Sequence, residues 1–158
     1  SELGADVQSY NWSGDTTKDM NSTAEGLAVY IKNLRQQYPD RKITLIGHSA
    51  GDLIVEKALN ILKADNIFVD TYIGLGSPSN NANRVHTNLG EWYNISSSKD
   101  IISMPSTSLK NTNQIRYNDL THVDYFGVYN GQVVDIGVFD RVMRILLRSE
   151  IEEILGTQ

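Results

Sequence analysis

Apolar positions along the chain fall first at helical intervals and then in short unbroken runs, an alternation that predicts helices and strands in turn. Ala24, Leu27, Tyr30, Ile31 and Leu34 hold the helical interval. Ser22-x-x-Glu25 has the form of a capping box, in which each side chain satisfies a free backbone N–H at a helix start, and Pro39 marks the stop. Ile43 to Ile46 is a β-branched apolar run that predicts a strand buried on both faces. Leu53, Ile54, Ala58, Leu59, Ile61 and Leu62 then make a second helix apolar around much of its circumference, and Ile67 to Leu75 predicts another strand ending at Gly76-Ser77-Pro78.

The flanks follow the same logic. Ala5 to Trp12 reads as a strand running into the polar turn Ser13-Gly14-Asp15. Ser79 to Gly90 is polar and Asn-rich, Glu91 to Ile95 is a weaker strand, and Ser96 to His122 reads as mostly polar loop. Asn130-Gly131 is the strongest short hairpin signal. Phe139, Val142, Met143 and Leu146 predict a last helix running towards Ile154. Strands alternating with helices imply parallel pairing, and the expected fold class is a three-layer α/β/α sandwich with a mostly parallel sheet. No repeat or linker divides residues 1–158, so a single domain is expected.

Composition narrows the chemistry. The formal net charge of −5, with Lys and Arg scattered, argues against a nucleic-acid-binding face. No apolar stretch approaches the ~18 residues of a membrane span, so no integral membrane segment is expected. There are no cysteines, which excludes disulfides, a thiol nucleophile and thiolate metal sites. The three histidines, His48, His86 and His122, include no pair at a helical ligand spacing, so neither a metal nor a cofactor is expected.

Against that background Gly47-His48-Ser49-Ala50-Gly51 stands out, because it joins the end of a predicted strand to the start of a predicted helix. G-x-S-x-G alone turns up by chance in about one in twenty chains of this length. The strand–turn–helix context makes Ser49 a candidate nucleophile on a strained turn. Gly47 and Gly51 are expected to keep bulk away from that turn. The helix N-terminus is expected to aim the Ala50 N–H at a developing oxyanion.

A serine hydroxyl needs a base, and the base needs an orienting acid. His48 is the neighbour of Ser49 and is expected to point away into packing or a local hydrogen bond. His122 is the expected base by the order nucleophile, acid, histidine, with His86 as the alternative. Asp100, just past a strand, is the expected acid; Asp119 and Asp124 flank His122 too closely, and Asp70 lies within a strand. Trp92, Tyr93 and Tyr125 are expected in the core or a groove wall.

Taken together, "ITLIGHSAG", "SSKDIIS" and "THVDYF" resemble the α/β-hydrolase fold, in its lipase/esterase-like branch, and "SYNWSGD" resembles a strand of such proteins ending in a Trp-Ser-Gly turn. The resemblance implies a serine hydrolase cleaving a small-molecule or lipid acyl ester through Ser49, His122 and Asp100. Thioesters, amides, acyl transfer, and a non-catalytic binding or scaffold domain are the alternatives. In that family a further strand and a His-Gly-type loop supply the first oxyanion N–H, and neither is found here. The expectation is that the chain begins inside the fold. The alternatives are a shortened first strand with Ser13 or Gly14 near the oxyanion site, or another chain or segment completing the sheet.

Overall fold

In a computed structural model, the structure describes residues 17–78, 86–103, 113–122, 125, 128–129 and 132–133. Helix α1 spans Thr17–Gln37, strand β1 Thr44–His48, helix α2 Ala50–Ala64, β2 Val69–Leu75, β3 Leu89–Ser97 and β4 Asn113–Tyr117. β5 (Val128–Tyr129) and β6 (Gln132–Val133) form a separate antiparallel pair. Tyr129 pairs with Gln132, and the predicted turn residues Asn130 and Gly131 lie outside the described residues. The expected strand at 5–12, the turn at Ser13 and Gly14 and the last helix lie outside the described residues.

β1 to β4 form one sheet in the order β1-β2-β3-β4, and all three pairings are parallel. The architecture is therefore α/β, with a parallel sheet and flanking helices. Parallel pairing brings the four C-terminal strand ends to one edge. The residues immediately beyond them, Ser49, Gly76, Ser98 and Asn118, therefore open on the same side of the sheet.

Both described helices pack on one face. Ala24, Leu27, Ala28 and Ile31 of α1 join Ile54, Val55, Ala58, Leu59 and Leu62 of α2 over Val69, Tyr72 and Trp92 of the sheet. Each fully buried Ile or Leu there contributes about 1.5–3 kcal/mol. On the opposite face Ile73, Leu75, Tyr93 and Ile95 pack with Leu120 and Tyr125. At the N-terminal strand edge, Arg35 donates to the carbonyls of Pro39, Arg41 and Phe68 and to Asp70 Oδ2, while the Ile43 N–H also donates to that carboxylate. Asp70 thus ties α1 and the start of β1 to β2.

Three local expectations are corrected. α1 starts at Thr17, so Ser22 is not a cap but lies inside the helix, its hydroxyl donating to the Asp19 carbonyl at 3.1 Å. β1 is not buried on both faces: Thr44 is exposed and Ile46 is 40% exposed, because α2 covers only the Leu45 and Gly47 side. The span 96–122, expected as mostly polar loop, contains a strand, β4, whose alternation is confined to Ile115 and Tyr117, both half-buried against the cluster around Ile95. β4 is held by its backbone register against β3, with one described neighbour, and two half-buried side chains are too short a pattern to predict a strand.

Candidate active site

The parallel pairing of β1 with β2 and the immediate start of α2 leave one residue, Ser49, to turn the chain. It does so at φ 53°, ψ −124°, a conformation that costs a non-glycine residue about 1–3 kcal/mol. The Ser49 N–H donates to the Leu75 carbonyl at 3.0 Å, and the Asp52 N–H donates to the Ser49 carbonyl at 3.0 Å, holding the turn from both sides. As the first residue of α2, Ala50 has a backbone N–H with no acceptor within the helix.

The two glycines of the motif differ. A Cβ at Gly47 would stand 2.8 Å from Asp52 Cα and 3.0 Å from its nitrogen, so the first turn of α2 crosses β1 with room for hydrogen only. A Cβ at Gly51 would meet nothing within 4 Å, and the steric reason for glycine there is not met. A third glycine, Gly76 at φ 56°, ends β2; a Cβ there would stand 2.8 Å from the Tyr125 ring and 2.9 Å from Asp100 Oδ2.

Asp100 lies three residues past β3, in a turn that its own carboxylate closes by accepting from the N–H groups of Ile102 and Ser103 at 3.0 and 3.1 Å. His122 lies five residues past β4, and its Nδ1 approaches Asp100 Oδ2 at 2.9 Å and Oδ1 at 3.1 Å. The Asp100 side chain is fully buried. Burial pushes its pKa up, but His122 and the Ile102 and Ser103 N–H groups outweigh this and hold it below the ordinary 3.8. An ionised Asp100 can only accept, so the proton sits on His122 Nδ1. Nε2 is then an acceptor, 2.8 Å from Ser49 Oγ, which donates to it.

The neighbours keep this line straight. His48 turns away from Ser49, and its Nε2–H donates to the His122 carbonyl at 2.9 Å, with the two rings 4.9 Å apart. Burial lowers the pKa of His48 below 6.5 and outweighs the hydrogen bond to the His122 carbonyl, which raises it. The buried Tyr125 ring lies behind, 5.8 Å from His48; burial and the Asp100 carboxylate push its phenol above the ordinary range. Ser97 Oγ accepts from the Leu120 N–H at 3.2 Å, and so ties the end of β3 to the segment that carries His122.

Of the sequence candidates, Ser49, His122 and Asp100 are brought together. His86 is not: it is buried beside Trp92, ring centroids 5.4 Å apart. Asp119 is exposed, and Asp124 lies outside the described residues. Trp92 and Tyr93 are buried in the core. Sequence reasoning missed the buried Asp52, whose carboxylate accepts from the hydroxyls of Tyr72 and Ser77. A signal existed, since Asp52 and Glu56 occupy positions on the apolar stripe of α2 and both are buried. Among the described residues no cluster of three or more His, Asp or Glu side chains is placed to hold a metal ion, and no helix is long and apolar enough to cross a membrane.

A model of the family described as alpha/beta hydrolase matches residues 7–110, more than half of the chain. Among solved structures, a member of the a/b serine hydrolases without a lid from Xanthomonas campestris aligns with a TM-score of 0.52 at 20% identity. The alignment covers 71% of this chain and 55% of that one, so the chain spans little more than half of that protein's length. At that identity the likeness shows the fold alone. No curated protein matches the chain in sequence.

Proposed function

The chain belongs to the alpha/beta hydrolase family, and from that premise we propose that it is a serine hydrolase cleaving a carboxylic ester of a small molecule or lipid. One observation carries the reading: the unbroken line from Ser49 Oγ through His122 to Asp100, with contacts of 2.8 and 2.9 Å. Ser49 Oγ attacks the acyl carbonyl as its proton passes to His122 Nε2, and the ionised Asp100 stabilises the imidazolium. The Ala50 N–H donates to the oxyanion, where one such donor contributes about 2.7–4 kcal/mol. The tetrahedral intermediate collapses with loss of the alkoxide, which leaves as the alcohol with the His122 proton. Water, deprotonated by His122, then frees the acid from Ser49.

The test is labelling with a fluorophosphonate, alongside release of p-nitrophenol from p-nitrophenyl acetate. The expected result is one label per chain, on Ser49, and loss of both label and turnover in Ser49→Ala. A folded wild-type protein that takes no label and releases no nitrophenol overturns the proposal and favours a non-catalytic domain.

A further inference from the structure

The turn at Ser49 is strained, and such a conformation persists only where its surroundings over-determine it. Two backbone hydrogen bonds are not the whole of that support. Asp52, in the first turn of α2, is 2% exposed, and its two carboxylate oxygens reach two different parts of β2. Oδ1 accepts from the hydroxyl of Tyr72, inside the strand, and Oδ2 from the hydroxyl of Ser77, two residues past its end. The space for the carboxylate is built in: a Cβ at Gly74 would collide with Asp52 Oδ1. The backbone of Asp52 is also the surface against which Gly47 of β1 closes. The end of β1, the start of α2, the body of β2 and its exit therefore meet at Asp52.

We propose that Asp52 is a positioning residue, which ties the N-terminus of α2 to β2 through Tyr72 and Ser77 and so sets where Ser49 Oγ and the Ala50 N–H stand. The inference rests on the hydrolase reading for its effect on turnover, though not for its effect on the turn. Charge alone would argue against a carboxylate here. A negative group beside a helix N-terminus opposes an oxyanion bound at that same end. Two hydroxyl donors spread that charge, and rigidity is what the site gains from it.

The experiment compares the wild type with Asp52→Ala, Asp52→Asn, Ser77→Ala and the double variant of Asp52→Ala with Ser77→Ala, well below their melting temperatures. Amide hydrogen exchange over residues 49–53 reads the turn without reference to activity. Steady-state kinetics with p-nitrophenyl acetate read the chemistry. Asp52→Ala is expected to speed exchange across 49–53 and lower kcat about tenfold to a hundredfold with little change in KM, since small misplacements of reacting groups cost that much. Asp52→Asn, which keeps an acceptor oxygen, is expected to recover part of both. The double variant is expected to be no worse than Asp52→Ala, because Ser77 acts through Asp52. A folded Asp52→Ala protein with wild-type exchange over 49–53, or with kcat within about twofold of wild type when wild type turns over, overturns the inference. Faster exchange in a protein whose wild type shows no turnover supports the tie and refutes only the hydrolase reading.

Discussion

Replacing Gly47 and Gly51 in turn by alanine tests the account of the turn with one methyl group at each end of the same five residues. At Gly47 the new Cβ would stand 2.8 Å from Asp52 Cα, 3.0 Å from Asp52 N and 3.1 Å from the Gly51 carbonyl oxygen. All three are backbone atoms, so no side-chain rotation relieves the contact and α2 must lift off β1. Over-packing of this kind costs about 1–3 kcal/mol. For a chain of this size each kcal/mol moves the melting temperature by about 2–4 °C, so Gly47→Ala is expected to melt roughly 2–12 °C lower. At Gly51 the Cβ meets nothing within 4 Å and the backbone is helical. There alanine removes the entropic cost of a helical glycine and is expected to raise stability by up to about 1 kcal/mol, or roughly 2–4 °C. Thermal melts by circular dichroism, with fluorophosphonate labelling rates at 25 °C, measure both. The labelling rate of Gly47→Ala is expected to fall with the displacement of Ser49 by about a hundredfold. The reasoning is refuted if both variants melt lower by similar amounts, because the requirement would then lie in the backbone of the motif and not in the approach of Asp52 to β1. It is equally refuted if Gly47→Ala melts and labels as wild type does.

Asp100→Asn is expected to lower kcat by about 10³–10⁴-fold with little change in KM. An amide N–H facing His122 Nδ1 favours the tautomer whose Nε2 is protonated and cannot accept from Ser49; kcat within tenfold of wild type would contradict this. Stability is expected to fall in two acid windows. Because His48 is held below 6.5 in the fold, the unfolded chain takes up the proton first, and stability declines as pH drops beneath about 6.5. Because Asp100 is held below 3.8, its contribution is complete above 3.8 and is lost only as pH falls through its lower folded value. Urea midpoints from pH 8 to pH 3 check this against His48→Gln, which keeps a donor for the His122 carbonyl; the first decline is expected in the wild type and not in the variant, and equal slopes between pH 7 and 5 would refute it.

Much of the fold is legible residue by residue because helices and buried strands write their burial into a local period. Leu27 and Ile31 of α1, Leu59 and Leu62 of α2 and Ile73 and Leu75 of β2 are buried where their spacing predicts. The strand–turn–helix form around Ser49 is legible for the same reason, since the β-branched run before it and the apolar stripe after it are both local. What leaves no local period had to wait for the assembled sheet. β4 carries one apolar residue among its five apart from Tyr117 and exists through backbone bonds to a partner some twenty residues away in the chain. The start of α1 at Thr17 escapes a reading keyed to Ser22, because a capping motif and an internal Ser-x-x-Glu are the same letters.

The chain's local pattern put Ser49 on a turn and offered three histidines and several acids. The parallel sheet sets which of them meet. The four strands end at one edge, so residues 49, 100 and 122 come within hydrogen-bond reach while His86 stays beside Trp92. The same assembly made Asp52 the buried acceptor of Tyr72 and Ser77, and made glycine necessary at 47 but not at 51. Period and propensity are properties of neighbours in sequence. Which side chain faces which across a sheet edge depends on strand order and register, and those exist only once the backbone hydrogen bonds between distant segments have formed.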